Sequence, residues 1–371
     1  MANSILYRLL AGVSLGVLAF SNLASASTTC TSSFYSQYQS CLSNSAFCSP
    51  YASPPDFVAA HPGCFPGGSS ASQAVVTASS FTQIGAISTS LVARMQAGSG
   101  PMAVTSTPVR GMAAGGKSPW NAWASLADNE TRQNFNIGIN KIKNDLSVTN
   151  AVVGGDYTFV SGLVLGVSAA IDRGEGSMQP TAAAAREAST TKGWAIAPYL
   201  GYQINKEFSL DATVGLGSGK TSALGGADST GDRLFYAANL NYSRWVKDFQ
   251  FSGKLGYLHG EEDLGLTTVN GVAVANTAAK NKLDRMLVGA QVGYWMGNGA
   301  QPYAGVTYLG DRRKSSLAGA DPIGKQAWQW ALGMNFFSLS RGINAGIAAT
   351  WESGRSNQKS GVLTGNIGMR F

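Results

Sequence analysis

The chain predicts an all-β fold, a 12-stranded antiparallel transmembrane β-barrel, with a helix in its lumen and a small cysteine-rich segment ahead of that helix. Three observations predict it. Apolar and small or polar residues alternate with period two over most of the chain from Trp120 onward, the pattern of strands with one face in lipid and one in a lumen. After the N-terminal leader no stretch approaches the roughly 18 to 20 unbroken apolar residues that a membrane helix needs, so any spanning falls to strands closed into a barrel. Charged residues are only 13% of the chain, against about 25% in an ordinary soluble domain, while glycines number 46.

Residues 1–26 read as a signal peptide. Arg8 precedes an apolar run from Leu9 to Phe20, and Ala24, Ser25 and Ala26 suit cleavage after Ala26. The segment 27–70 holds all four cysteines, Cys30, Cys41, Cys48 and Cys64. In an oxidising compartment these imply two disulfides, with three connectivities open. A lipidated Cys30 is disfavoured because Ser27, Thr28 and Thr29 stand where an aliphatic residue is needed. A zinc site is the alternative, disfavoured by export and by His61 being the one nearby imidazole.

Residues 71–97 lack proline and acids and carry only Arg94 as a charge. Val75, Val76, Ala78, Phe81, Ile84, Ile87, Leu91, Val92 and Met95 recur at spacings of three and four, predicting a helix of about 26 residues and about 39 Å. That length matches the height of a barrel, and the many hydroxyls suit a crowded lumen. A helix lying across a barrel mouth is the alternative. Gly98 is the expected cap, and residues 98–118, rich in Gly and Pro, form a linker.

The barrel is expected over residues 119–371, with strands at about 120–128, 146–159, 163–173, 191–204, 208–221, 232–246, 249–262, 282–296, 301–314, 325–338, 342–355 and 359–371. Residues 327–336 show the pattern best: Trp328, Trp330, Leu332, Met334 and Phe336 alternate with Ala327, Gln329, Ala331, Gly333 and Asn335. Short turns at 160–162, 205–207, 246–248, 297–300 and 339–342 alternate with longer polar connections. Short turns belong to the periplasm, so the first strand runs outward and Phe371 ends inside. In the last strand Leu363, Ile367, Met369 and Phe371 share one face.

Charges gather near the expected outer ends: Glu261, Glu262 and Asp263, Asp284 and Arg285, Arg312 and Arg313, Glu352 and Arg355. A Lys or Arg facing mid-bilayer lipid costs about 2–4 kcal/mol, so these residues are expected as solvated rims or interior ion pairs. The net charge of +7 points, in an exported chain, to anionic lipopolysaccharide and not to nucleic acid.

Enzymatic motifs fail on inspection. Residues 215–221 spell GLGSGKT, but only three residues separate Gly215 from Gly219 where a phosphate-binding loop needs four, and the segment continues a strand. His259, the one histidine of the barrel, falls in register with Phe249, Phe251, Leu255 and Tyr257, on the lipid side near the outer rim. No Gly-x-Ser-x-Gly elbow accompanies it. No catalytic residue, metal ligand or cofactor is expected.

An exported N-terminal segment, a helix sized for a lumen, and a C-terminal barrel closing on an aromatic together resemble the autotransporter family, whose last domain is a translocator of the Gram-negative outer membrane. Gly111 to Gly116, followed by Trp120, Asn121, Ala122, Trp123 and Ala124, resemble the glycine-rich stretch and Trp-x-x-Trp first strand where such barrels begin. The resemblance runs from about Ala71 to Phe371. It implies a monomeric barrel through which the segment 27–70 reached the surface, embedded in outer-membrane lipid and lipopolysaccharide. It also implies an assembly signal in Ile367, Met369 and Phe371 that the barrel assembly machinery reads. The segment is far shorter than the family's long β-helix. Some relatives cleave within the barrel at a helix asparagine; residues 71–97 contain no Asn, Asp or Glu, so the segment is expected to stay attached. The competing expectation is a passive pore or structural barrel whose N-terminal segment stays periplasmic or plugs the lumen.

Overall fold

The computed structural model describes residues 32–44, 70–96, 119–137, 140–159, 162–179, 187–223, 227–269, 271–316, 323–338 and 342–371. Two helices, α1 (Ser32–Ser43) and α2 (Ser70–Gln96), precede the strands. The wall is built from β1 (Trp120–Ile137), β2 (Asn140–Thr158), β3 (Leu163–Gln179), β4 (Glu187–Gln203), β5 (Phe208–Ala223), β6 (Ala227–Val246) and β7 (Phe249–Leu264). It continues, after the small hairpin β8 (Thr268–Val269) and β9 (Val272–Ala273), with β10 (Ala279–Tyr294), β11 (Ala300–Ser315), β12 (Gln326–Ser338), β13 (Ile343–Ser353) and β14 (Gln358–Arg370).

Each wall strand pairs antiparallel with its neighbours. β1 pairs with β14, with Ala124 opposite Ile367, and β5 pairs with β6, so the twelve wall strands close with no free edge. Closure is what lets a sheet stand in lipid, because every backbone donor and acceptor finds a partner within the ring.

Side-chain alternation sorts the residues as expected. Leu165, Val167, Ile171, Ile196, Leu216, Met286, Val288, Leu332, Leu363 and Ile367 point outward and are exposed, while Asn129, Asn150, Asp172, Asp211, Asn239, Asn241 and Gln301 are buried inside. Aromatic rings band the outward face at two heights. Near the short-turn end, Trp120 packs on Tyr157 at 4.9 Å, Phe208 on Tyr242 at 5.1 Å and Phe249 on Tyr294 at 5.1 Å. Toward the other end lie Tyr236 with Tyr257 at 6.4 Å and Tyr308 with Trp328 at 5.2 Å. Phe249 and Tyr257 are eight residues apart on one tilted strand, about 20 Å along the membrane normal, close to the apolar thickness of an outer-membrane barrel.

The strands are longer than alternation alone suggested. β1 has 18 residues and β2 has 19, where about 9 to 11 suffice to span. The expected long polar connection between them is instead a hairpin rising above the membrane. Its outward residues are polar (Asp128, Glu130, Arg132), and its inner side is anchored by Phe135 and Ile142 packed with Ile323. The wall adjoining β1 on its other side is lower, with β12, β13 and β14 at 13, 11 and 13 residues. The outer connection of residues 354–357 is short too, turning on Gly354 and Asn357 at positive φ.

Candidate functional site: the occupied lumen and the outer mouth

Helix α2 stands inside the barrel, against the taller wall. Ile84, Ile87 and Leu91 join one core cluster with Trp123, Val152, Val164, Ala197, Tyr199, Phe235 and Leu258 from the strands. Its hydroxyl and amide side chains meet the polar inner wall directly. Ser79 Oγ donates to Asp172 Oδ1 at 2.8 Å, Gln83 Nε2 to Ser168 Oγ at 3.1 Å, and Ser88 Oγ to Asp211 Oδ2 at 3.1 Å. Lys254 Nζ donates to Ser88 Oγ at 2.8 Å. A lumen wall made of Asp, Asn and Ser cannot be covered by a purely apolar helix without stranding polar groups, which explains the serine-rich composition of α2.

These contacts fix the helix direction. Leu91 lies against Gly201, close to the short turn after β4, whereas Ser79 reaches Asp172, farther along β3 toward the long-connection end. Chain flow is therefore from the outer mouth to the short-turn end, where β1 starts at Trp120. The expected lumen placement holds, over 70–96 rather than 71–97; Gly98 and the linker 98–118 lie outside the described residues.

Two ion-pair networks surround the outer half of α2. Arg233 binds Asp172 at 2.6 Å and Glu262 at 2.8 Å, all three buried. Gly193 and Gly219 make room for it: a Cβ at either would collide with the Arg233 guanidinium. Gly219 of the GLGSGKT stretch is thus a space for an arginine, not part of a phosphate loop. In the second network Asp311 receives Arg285 at 2.6 Å, Arg313 at 2.7 Å and Arg355 at 2.8 Å, and Arg355 also binds Glu352 at 2.9 Å. The Arg285 guanidinium sits 4.0 Å from the centre of the Phe81 ring, a cation–π contact from wall to helix.

The pleat divides the clustered charges. Glu262, Arg285, Arg313, Arg355 and Asp311 turn inward into these networks, while Glu261, Asp263, Asp284 and Arg312 turn outward above the aromatic band. His259 is outward as expected, its Nδ1 2.8 Å from Asp284 Oδ1 and its ring stacked on Tyr236 at 4.9 Å. It does not join any lumenal serine.

Beside α2, toward β11 to β14, a cavity of about 270 Å³ remains, lined by amides including Asn241, Gln250, Gln301, Asn335, Asn344 and Asn366. Gln301 Nε2 donates to Gln250 Oε1 at 2.8 Å, and Asn335 Nδ2 to Gln301 Oε1 at 3.3 Å. At the short-turn end, Trp123 Nε1 donates to Tyr199 Oη at 2.8 Å, and that hydroxyl donates to Asp156 Oδ2 at 2.9 Å. The two tryptophans of the Trp-x-x-Trp stretch thus take opposite faces, Trp120 in the lipid-facing aromatic band and Trp123 in the core.

At the outer mouth α1, which the sequence reading missed, docks on the connection between β7 and β10. Tyr38 Oη donates to the Asn276 carbonyl at 3.1 Å, Gln39 Nε2 donates to the Ala275 carbonyl at 3.0 Å, and Asn276 Nδ2 donates to Gln39 Oε1 at 3.4 Å. Asn276 holds a positive φ of 60°, which Asn tolerates better than most residues. Burial pushes the Tyr38 hydroxyl above its ordinary pKa, keeping it a donor. Cys41 is buried one turn further on, and there is no free cysteine among the described residues. Cys30, Cys48 and Cys64 lie outside the described residues. Ile367, Met369 and Phe371 are exposed on the outward face of the last strand.

No protein-family model matches the chain, and no curated protein matches it in sequence. Solved structures do. The translocator domain of the autotransporter NalP from Neisseria meningitidis superposes with a TM-score of 0.53 at 11% identity, covering 68% of this chain and 89% of that one. The β-domain of the Bordetella autotransporter BrkA gives 0.52 at 13% identity, covering 68% of this chain and all of its own, 100%. The fold is that of an autotransporter translocator domain. The transport unit of the autotransporter AIDA-I from Escherichia coli shares this translocator fold at a TM-score of 0.50 and 11% identity, covering 77% of this chain and 98% of that one. These translocator barrels are named for transport and not for an enzymatic reaction.

Proposed function

We propose that this chain is an autotransporter-type outer-membrane barrel that anchors and exports its own short N-terminal segment, residues 27–70, and keeps it at the cell surface. The direction of α2 carries this reading. With its N-terminal end at the mouth opposite the short turns, the residues before it emerge outside, and the docking of α1 on Ala275 and Asn276 agrees. A periplasmic N-terminal segment would need the helix reversed.

Several finer parts belong to the same proposal. Disulfides among Cys30, Cys41, Cys48 and Cys64 staple the segment, for which the absence of a free cysteine among the described residues is support. The barrel works as a monomer in outer-membrane lipid and lipopolysaccharide, after the assembly machinery has read the outward row Ile367, Met369 and Phe371. The segment stays attached, because residues 71–97 offer no Asn, Asp or Glu.

An epitope tag inserted after Ser53 tests the display. Added protease should remove the tag from intact cells while sparing the barrel. Protection that ends only when the outer membrane is permeabilised would overturn it in favour of a plugged structural barrel.

A further inference from the structure

Outside the lumen, the strongest unexplained feature is a row of like charges on the outward face of three successive strands. Arg173 on β3 is the register partner of Lys192 on β4, and Lys192 is the register partner of Lys220 on β5. All three side chains point outward and are exposed. Neighbouring strands lie about 4.8 Å apart, and like charges placed directly across a ladder repel. Arg173 and Lys220 are partly offset by exposed pairs, with Glu175 at 3.5 Å and Asp228 at 2.8 Å. Lys192, between two cations, makes no ion pair among the described residues.

The height of this row matters. One outward position below it, Ile171 and Trp194 are register partners and are 65% and 51% exposed. Trp194 stands eight residues from Tyr202 on β4, the same interval that separates the two aromatic bands on β7. The row therefore sits just above the apolar band, where hydrocarbon gives way to headgroups, and the seam between β7 and β10 shows the contrast. There, Lys280 and Lys282 are both paired with Glu261, and Asp284 is taken up by Tyr257 and His259.

We propose that Arg173, Lys192 and Lys220, with Trp194 and Ile171 beneath them, form a site for the phosphorylated headgroup of a membrane lipid, whose acyl chains lie on the apolar surface below. A phosphate over Lys192 reaches three cations through charge-assisted hydrogen bonds and removes the repulsion along the row. The location in the outer leaflet rests on the proposed function; the chemistry of the site does not.

The test uses the purified full-length barrel in detergent, which has no orientation, so failure here is separable from failure of the display reading. Bisphosphorylated lipid A, the same lipid dephosphorylated, and inorganic phosphate are each added, and bound lipid is counted by native mass spectrometry. The wild type should retain the phosphorylated lipid, and Lys192→Gln should weaken retention about fivefold. An Arg312→Gln/Lys314→Gln variant on β11 should leave it unchanged. A folded Lys192→Gln barrel with undiminished retention would overturn the site. So would equal retention of the dephosphorylated lipid, or full competition by equimolar inorganic phosphate, which would mean a free anion is the ligand.

Discussion

The Tyr38 hydroxyl donates a hydrogen bond to the Asn276 carbonyl at 3.1 Å across a sequence separation of 238 residues. The contact ties a helix that precedes the lumen to a connection at the far end of the barrel wall. Residues 32–44 are therefore held against the outer mouth. Losing the hydroxyl in Tyr38→Phe should cost about 1 kcal/mol, or about a fivefold rise in the open population. The rate of proteolysis within residues 27–69 on intact cells measures it.

Arg233 fastens two buried carboxylates inside the lumen. Removing it in Arg233→Leu leaves the Asp172 and Glu262 carboxylates buried without their cation, and breaking a buried pair from one side costs about 3–5 kcal/mol. Urea unfolding of the barrel in lipid vesicles should show a loss of that size. The glycines that seat the arginine give an independent check, since Gly193→Val should destabilise through collision with Arg233.

Lipid contact is tested from outside. Leu332 is 53% exposed at mid-strand on β12, and Leu332→Arg should cost about 2–4 kcal/mol in vesicles, whereas Gln326→Arg at the outer end of the same strand should cost about 0–1 kcal/mol. Equal costs would contradict the placement of the apolar band.

Deleting residues 70–96 should open the lumen, because Ile84, Ile87 and Leu91 fill it against the β1 to β7 wall. Single-channel recordings should show a large conductance for the deleted barrel and a small one for the intact chain. The intact barrel retains a cavity of about 270 Å³ beside the helix.

Much of this was legible in the sequence because lipid and lumen impose opposite demands on alternate residues. The Trp328 to Phe336 row could be sorted by parity alone, and so could Glu261 from Glu262 or Arg312 from Arg313. Strand ends were less legible. Above the membrane both faces of β1 and β2 meet water or loop, so the contrast that marks a strand disappears although its ladder continues. Ion-pair partners were not legible either, since Arg233 meets Asp172 across 61 residues of sequence. Helix α1, SSFYSQYQSCLS, has no acidic residue in its first turn and no basic residue in its last. What holds it is a tertiary contact with Asn276, which no local pattern announces.

The most direct measurement of the central claim, that the N-terminal segment docks on the outer mouth, is photocrosslinking in living cells from a photoreactive amino acid placed at Gln39. An intramolecular crosslink to residues 271–278 is expected, formed without permeabilising the outer membrane and located by mass spectrometry. Crosslinks to periplasmic proteins, or none to that connection in a correctly folded barrel, would contradict the claim.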